Sequence, residues 1–107
     1  MLASQTILAA ARRAAAAASS PAQVFVFGSY ARGDANAGSD LDLLVVEREV
    51  ADKAAEYLKV HRAVGEIGVG VDVLIFSRDE FERRSTVPGT LPYRAKTEGR
   101  LLHDASA

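Results

Sequence analysis

Three short apolar runs set the strongest limit on what this chain can fold into. Residues 24–27, 41–46 and 69–76 are rich in β-branched, aromatic and leucine side chains, and they read as strands. In the second run Leu41, Leu43 and Val45 share one face, and Asp42, Leu44 and Val46 share the other. Helical patterns lie around these runs. Residues 4–18 are alanine-rich, and Ile7, Leu8, Ala11, Ala14, Ala15 and Ala18 form a narrow apolar stripe. Ser19-Ser20-Pro21 ends it. Residues 48–64 place Val50, Ala54, Tyr57, Leu58 and His61 on one face, with Asp52, Lys53, Glu56 and Lys59 outside. Ser77 is a good helix N-cap with Glu80 at the capping-box position, and that helix ends before Pro88-Gly89. Residues 91–103 are expected to hold a short helix and a short extended piece.

The chain has 107 residues, which is one domain spanning 1–107. Hydrophobic residues make up 49% and charged residues 25%, values that exclude general disorder. There is no cysteine, so disulfides, thiolate metal sites and cysteine nucleophiles are excluded. The net charge of −1 carries no strong nucleic-acid signal. No apolar run approaches the ~20 residues of a membrane span. Arg12 and Arg13 interrupt the segment where a signal peptide would need its apolar core, and a cytoplasmic location is expected.

The chemistry concentrates in Gly28-Ser29-Tyr30-Ala31-Arg32-Gly33 and Ser39-Asp40-Leu41-Asp42-Leu43. Asp40 and Asp42 stand two apart at the start of a predicted strand, so both project to one face about 7 Å apart. Two convergent carboxylates suit a hard cation such as Mg²⁺, completed by substrate phosphates. Two such ions fit phosphoryl or nucleotidyl transfer. Asp72 sits in the third run, which is otherwise apolar. A carboxylate there is costly to bury unless it is paired or coordinated, and a cation shared with Asp40 and Asp42 would satisfy it. The plainer alternative puts Asp72 at a wet strand end, bonded to an arginine or to backbone. Gly28-Ser29, after a strand and before a helical turn, lets backbone N–H groups approach a phosphate. It can equally be an ordinary strand-ending turn.

Taken together, these residues resemble the nucleotidyltransferase superfamily of DNA polymerase β, and more closely its minimal nucleotidyltransferase (MNT) members. That pattern is Gly-Ser-x-Ala-Arg-Gly, a short loop, Ser-Asp-x-Asp-Leu, then a third Asp on a later strand. It is matched at Gly28, Ser29, Ala31, Arg32, Gly33, Ser39, Asp40, Asp42, Leu43 and Asp72. Glu98-Gly99 followed by Leu101-Leu102 looks like the tail of these short proteins. The resemblance implies an α/β (α+β) fold: a small mixed β-sheet flanked by helices, the polymerase β-like palm. It implies that Gly28 and Ser29 hold the triphosphate of ATP or another NTP, with Arg32 and Ser39 completing the nucleotide loop. It also implies that Asp40, Asp42 and Asp72 bind two Mg²⁺ ions, with Asp72 helping to activate the attacking hydroxyl. Every motif position is intact, which argues against an inactive relic.

A palm this small has no second domain to grip an acceptor, so a partner or a dimer mate is expected to deliver it. MNT proteins are often paired with HEPN RNase toxins, and some transfer AMP to a toxin tyrosine. That antitoxin activity is the leading expectation. The alternatives are a transferase for a small molecule such as an aminoglycoside, and an antitoxin that works by binding alone. His61 is expected to pack or cap, and His103 to lie on the surface. Arg78, Arg83, Arg84, Arg94, Lys96 and Arg100 are nearly cancelled by neighbouring acids and read as a solvated face. Any contact from one of them to the triphosphate is left open.

Overall fold

The structure, a computed structural model, describes residues 1–105. The last two residues of the expected 1–107 domain lie outside it. The order of elements is α1 (Ser4–Ala17), β1 (Ala22–Phe27), α2 (Ser29–Arg32), β2 (Leu41–Glu47), α3 (Lys53–Val64), β3 (Val71–Ser77), α4 (Arg78–Arg84), α5 (Leu91–Glu98) and β4 (Arg100–Asp104). The strands form one sheet in the order β3-β2-β1-β4. β1 pairs antiparallel with both β2 and β4, and β2 pairs parallel with β3. The expected small mixed sheet flanked by helices is what the chain builds.

Strand alternation explains the layers. One sheet face carries Val24, Val26, Leu41, Leu43, Val45, Val73 and Ile75, and it packs against Ile7, Ala10, Ala11 and Ala14 of α1 and Val60 and Val64 of α3. The other face carries Phe27, Leu44, Val46 and Phe76 beneath Phe81 of α4 and Ala95 of α5. Alanine on α1 has no bulk, so the helix can lie close to the sheet. Among the described residues, no helix is long and apolar enough to cross a membrane.

Several local expectations are corrected. On α1, Ala10 is fully covered, whereas Leu8, Ala15 and Ala18 are only half-buried. Helix α3 starts at Lys53 rather than residue 48, because the Asp52 side chain caps it by accepting from Ala55 N at 3.1 Å. Arg48 is tied elsewhere, its N–H donating to the Pro21 carbonyl. The later start comes with a different buried face. Glu56, Val60 and Val64 point inward, while Tyr57 and Leu58 are 39% and 54% exposed. The Arg13 guanidinium reinforces this phase by donating to the Val64 carbonyl at the helix end, at 2.9 and 3.3 Å. Strand β3 begins at Val71, two residues late, so Asp72 is its second residue and is exposed rather than central and buried. Ser77 caps α4 as expected, accepting from Glu80 N at 3.2 Å. Tyr30 packs in the core, its hydroxyl accepting from Leu2 N at 3.2 Å.

Candidate active site

The sheet register decides which carboxylates meet. Asp42 is the second residue of β2 and Asp72 the second of β3, and the parallel pairing sets them side by side. Neighbouring strands lie about 4.8 Å apart, so same-face side chains at paired positions touch. The Asp72 carboxyl acts directly on that of Asp42. Burial pushes the Asp42 carboxyl up to about 6, helped by its bond to Asp72 and by the charges of Asp72 and Asp40, and opposed by the Arg94 guanidinium. Asp40 immediately precedes β2 and is exposed, and its carboxylate lies where a Gly70 side chain would be.

On the other flank, β1 pairs Phe27 with Asp42. The next residue is Gly28, with φ 73° and ψ −151°, a region essentially reserved for glycine. A Cβ at Gly28 would overlap Asp42 Oδ2. Glycine is therefore required twice, by the turn and by the carboxylate that fills the vacated space. Ser29 follows, half-buried, as the first residue of α2. The turn closes at Gly33, whose N–H donates to the Ser29 carbonyl at 3.0 Å. Ser39 Oγ accepts from Asn36 N at 2.9 Å, which holds the loop before Asp40. Arg32 donates to Asp34 at 3.3 Å and to Glu98 at 3.4 Å.

Beside the carboxylates opens a cleft of about 320 Å³, lined among others by Phe27, Asp42, Asp72, Tyr57, Leu91 and Arg94. The structure thus brings Asp42, Asp72 and Gly28 together, sets Asp40 at the rim, and gives Ser39 and Arg32 to the surrounding loop. Among the described residues no three acidic or histidine side chains are gathered closely enough to hold a metal ion as they stand. The donor set nevertheless fits a hard cation. It offers oxygen only, and two of its carboxylates stand side by side at paired strand positions. Asp40 would have to turn away from Gly70 to join them.

A family model for the nucleotidyltransferase domain matches residues 8–97. The chain belongs to the nucleotidyltransferase domain family. The Asp42–Asp72 pair and the Gly28 turn both lie inside the matched segment. Two solved structures share the fold of this nucleotidyltransferase domain. A Sulfolobus solfataricus protein assigned as a nucleotidyltransferase has a TM-score of 0.64 at 20% identity, covering 94% of this chain and 78% of that one. A toxin–antitoxin structure with AMP-PNP has a TM-score of 0.62 at 22% identity, covering 98% and 76%. No curated protein matches the chain in sequence.

Two features of this nucleotidyltransferase domain escaped the sequence reading. Arg94 and Tyr57 line the cleft, although Arg94 read as part of a solvated face and Tyr57 as part of a packing face. The i, i+4 spacing of Arg94 and Glu98 marks a helix-surface pair and carries no signal of the cleft. The second feature lies at the far end of β2. There Glu47 is fully buried against Glu56, a residue expected outside.

Proposed function

We propose that this nucleotidyltransferase domain moves a nucleoside monophosphate, AMP from ATP, onto a hydroxyl of a protein partner of the HEPN toxin type, and so acts as an MNT antitoxin. The observation that carries the reading is the Asp42–Asp72 pair flanked by Gly28. The toxin–antitoxin relative, with its bound ATP analogue, supports the choice of nucleotide and partner class. The setting is cytoplasmic, where ATP and Mg²⁺ are at hand, in a hetero- or homo-oligomer that brings the acceptor to the cleft.

The roles follow from position. Gly28 and Ser29 bind the triphosphate on the β1 side of Asp42, and Arg32 and Ser39 keep the loop around it in shape. Asp40, Asp42 and Asp72 are the metal-binding carboxylates. Magnesium, as two ions when bound, neutralises triphosphate charge and favours the attacking oxyanion. Asp72, exposed at the cleft, accepts the proton of the acceptor hydroxyl. The acceptor oxygen forms a bond to the α-phosphorus, the α–β phosphoanhydride bond breaks, and pyrophosphate leaves with the electron pair. Positioning and charge stabilisation supply most of the rate.

The test is transfer of label from α-³²P-ATP to a HEPN partner, with and without Mg²⁺. Wild-type protein should label the partner, and Asp42→Asn should not. Absence of labelling by the wild type, or full labelling by Asp42→Asn, would overturn the reading. Full neutralisation of the toxin by Asp42→Asn would show that binding alone suffices.

A further inference from the structure

The cleft holds one charged residue whose role the nucleotidyltransferase reading does not supply. Arg94, on α5, lines the cleft together with Asp42 and Asp72. Its Nε and Nη2 donate to Glu98 Oε1 at 3.4 and 3.2 Å, and the same oxygen accepts from Arg32 Nη1 at 3.4 Å. One carboxylate thus ties the arginine of the Gly28–Gly33 turn to the arginine of the cleft. Among the described residues, Arg94 Nη1 makes no hydrogen bond, and the side chain is 48% exposed. Leu91, one turn earlier on α5, supplies an apolar wall beside it.

A guanidinium held beside carboxylates that take up a metal ion has a definite electrostatic consequence. The arriving cation takes over the neutralisation of Asp42 and repels Arg94. Glu98 still holds Nε and Nη2, while Nη1, which makes no hydrogen bond among the described residues, would gain from an anion that accompanies the metal. A planar guanidinium fork matches phosphate oxygens, and the charge-assisted hydrogen bonds it makes are the strong kind. We propose that Arg94 binds the phosphate oxygens of the incoming nucleotide and that Glu98 is its positioning residue, coupling it to Arg32. This rests on the nucleotidyltransferase reading of the site.

The test uses Mn²⁺ alone and Mn²⁺·AMP-PNP as calorimetric titrants, against wild type, Arg94→Ala, Arg94→Lys and Glu98→Gln, with a thermal melt of each. A hydrogen bond to a charged group contributes about 1.5–3 kcal/mol, so Arg94→Ala should weaken Mn²⁺·AMP-PNP by roughly 10- to 100-fold. The same variant should bind Mn²⁺ alone as tightly as wild type or more tightly, because a cation next to the metal has gone. Arg94→Lys should recover part of the nucleotide affinity, and Glu98→Gln should lose a few-fold. Wild-type affinity for Mn²⁺·AMP-PNP in folded Arg94→Ala overturns the proposal. A parallel loss of Mn²⁺ and nucleotide also overturns it, since that marks a structural role. A folded wild type that binds no Mn²⁺·AMP-PNP overturns the site reading itself, and the proposal falls with it.

Discussion

Replacing Glu47 by glutamine should make the protein more stable at pH 8 and leave it unchanged near pH 4.5. Glu47 closes β2 and is fully buried on the face that receives α3. Its neighbour Glu56 accepts from Ser19 Oγ, from Ser19 N at 3.3 Å and from Lys59 at 3.1 Å. Burial pushes Glu47 up to about 7, reinforced by the bond to Glu56 and by its charge. Burial acts the same way on Glu56, but the bonds from Glu47, Ser19 and Lys59 outweigh it and hold Glu56 near 2. The pair therefore carries one proton, on Glu47. The folded state keeps that proton between about 4.5 and about 7, whereas the unfolded chain has released it. The Glu47 contribution is complete below the unfolded value and is lost as pH rises through the folded one. At 1.36 kcal/mol per unit, the full shift sets an upper limit of about 3 kcal/mol at pH 8. Glutamine cannot ionise and can still donate to Glu56, so the variant escapes this loss. For a domain of this size that limit corresponds to roughly 13 °C in Tm at pH 8. Urea melts of both proteins at pH 4.5, 6, 7 and 8 measure it. A stability difference that stays constant across those pH values, or a variant less stable at pH 8, would refute the shared-proton account.

Other substitutions probe the site and the frame. Gly28→Ala places a side chain in a glycine-only conformation, costing about 1–3 kcal/mol, and displaces the Asp42 carboxylate. Its Mn²⁺ affinity should fall well beyond what the melt predicts, and a wild-type isotherm would refute the shared-space argument. Asp72→Asn should lower nucleotidyl transfer at least about 100-fold if Asp72 takes the hydroxyl proton, with nucleotide affinity changed only a few-fold. Because Asp72 is exposed, its Tm should hardly move, and wild-type transfer rates would remove Asp72 from the mechanism. Asp52→Ala removes the α3 cap and should cost about 1 kcal/mol in denaturant melts. An unchanged midpoint would mean that packing against α1 alone sets the start of that helix.

Strands β1 to β3 and the chemistry-bearing turn were legible from local pattern, and the mixed sheet from the family resemblance. Alternation of Leu41, Leu43 and Val45 with Asp42, Leu44 and Val46 fixes two faces without reference to any partner, because a strand's period is imposed by its backbone. The Gly28 turn was legible for the same reason, as local geometry, whereas Asp40, expected to converge with Asp42, turns toward Gly70 because it precedes the strand. Tertiary structure decided what depends on registration between segments. The parallel pairing of β2 with β3 sets Asp72 against Asp42 and leaves it exposed, while composition alone suggested burial. The capped start of α3 and its contact with α1 turn Glu56 inward and Tyr57 outward. A mixed helix surface such as 48–64 admits more than one phase, so only packing could choose between them. Arg94 enters the cleft because α5 lies over the sheet face that bears Asp42. The residue's own neighbours, balanced in charge, hold no record of that placement.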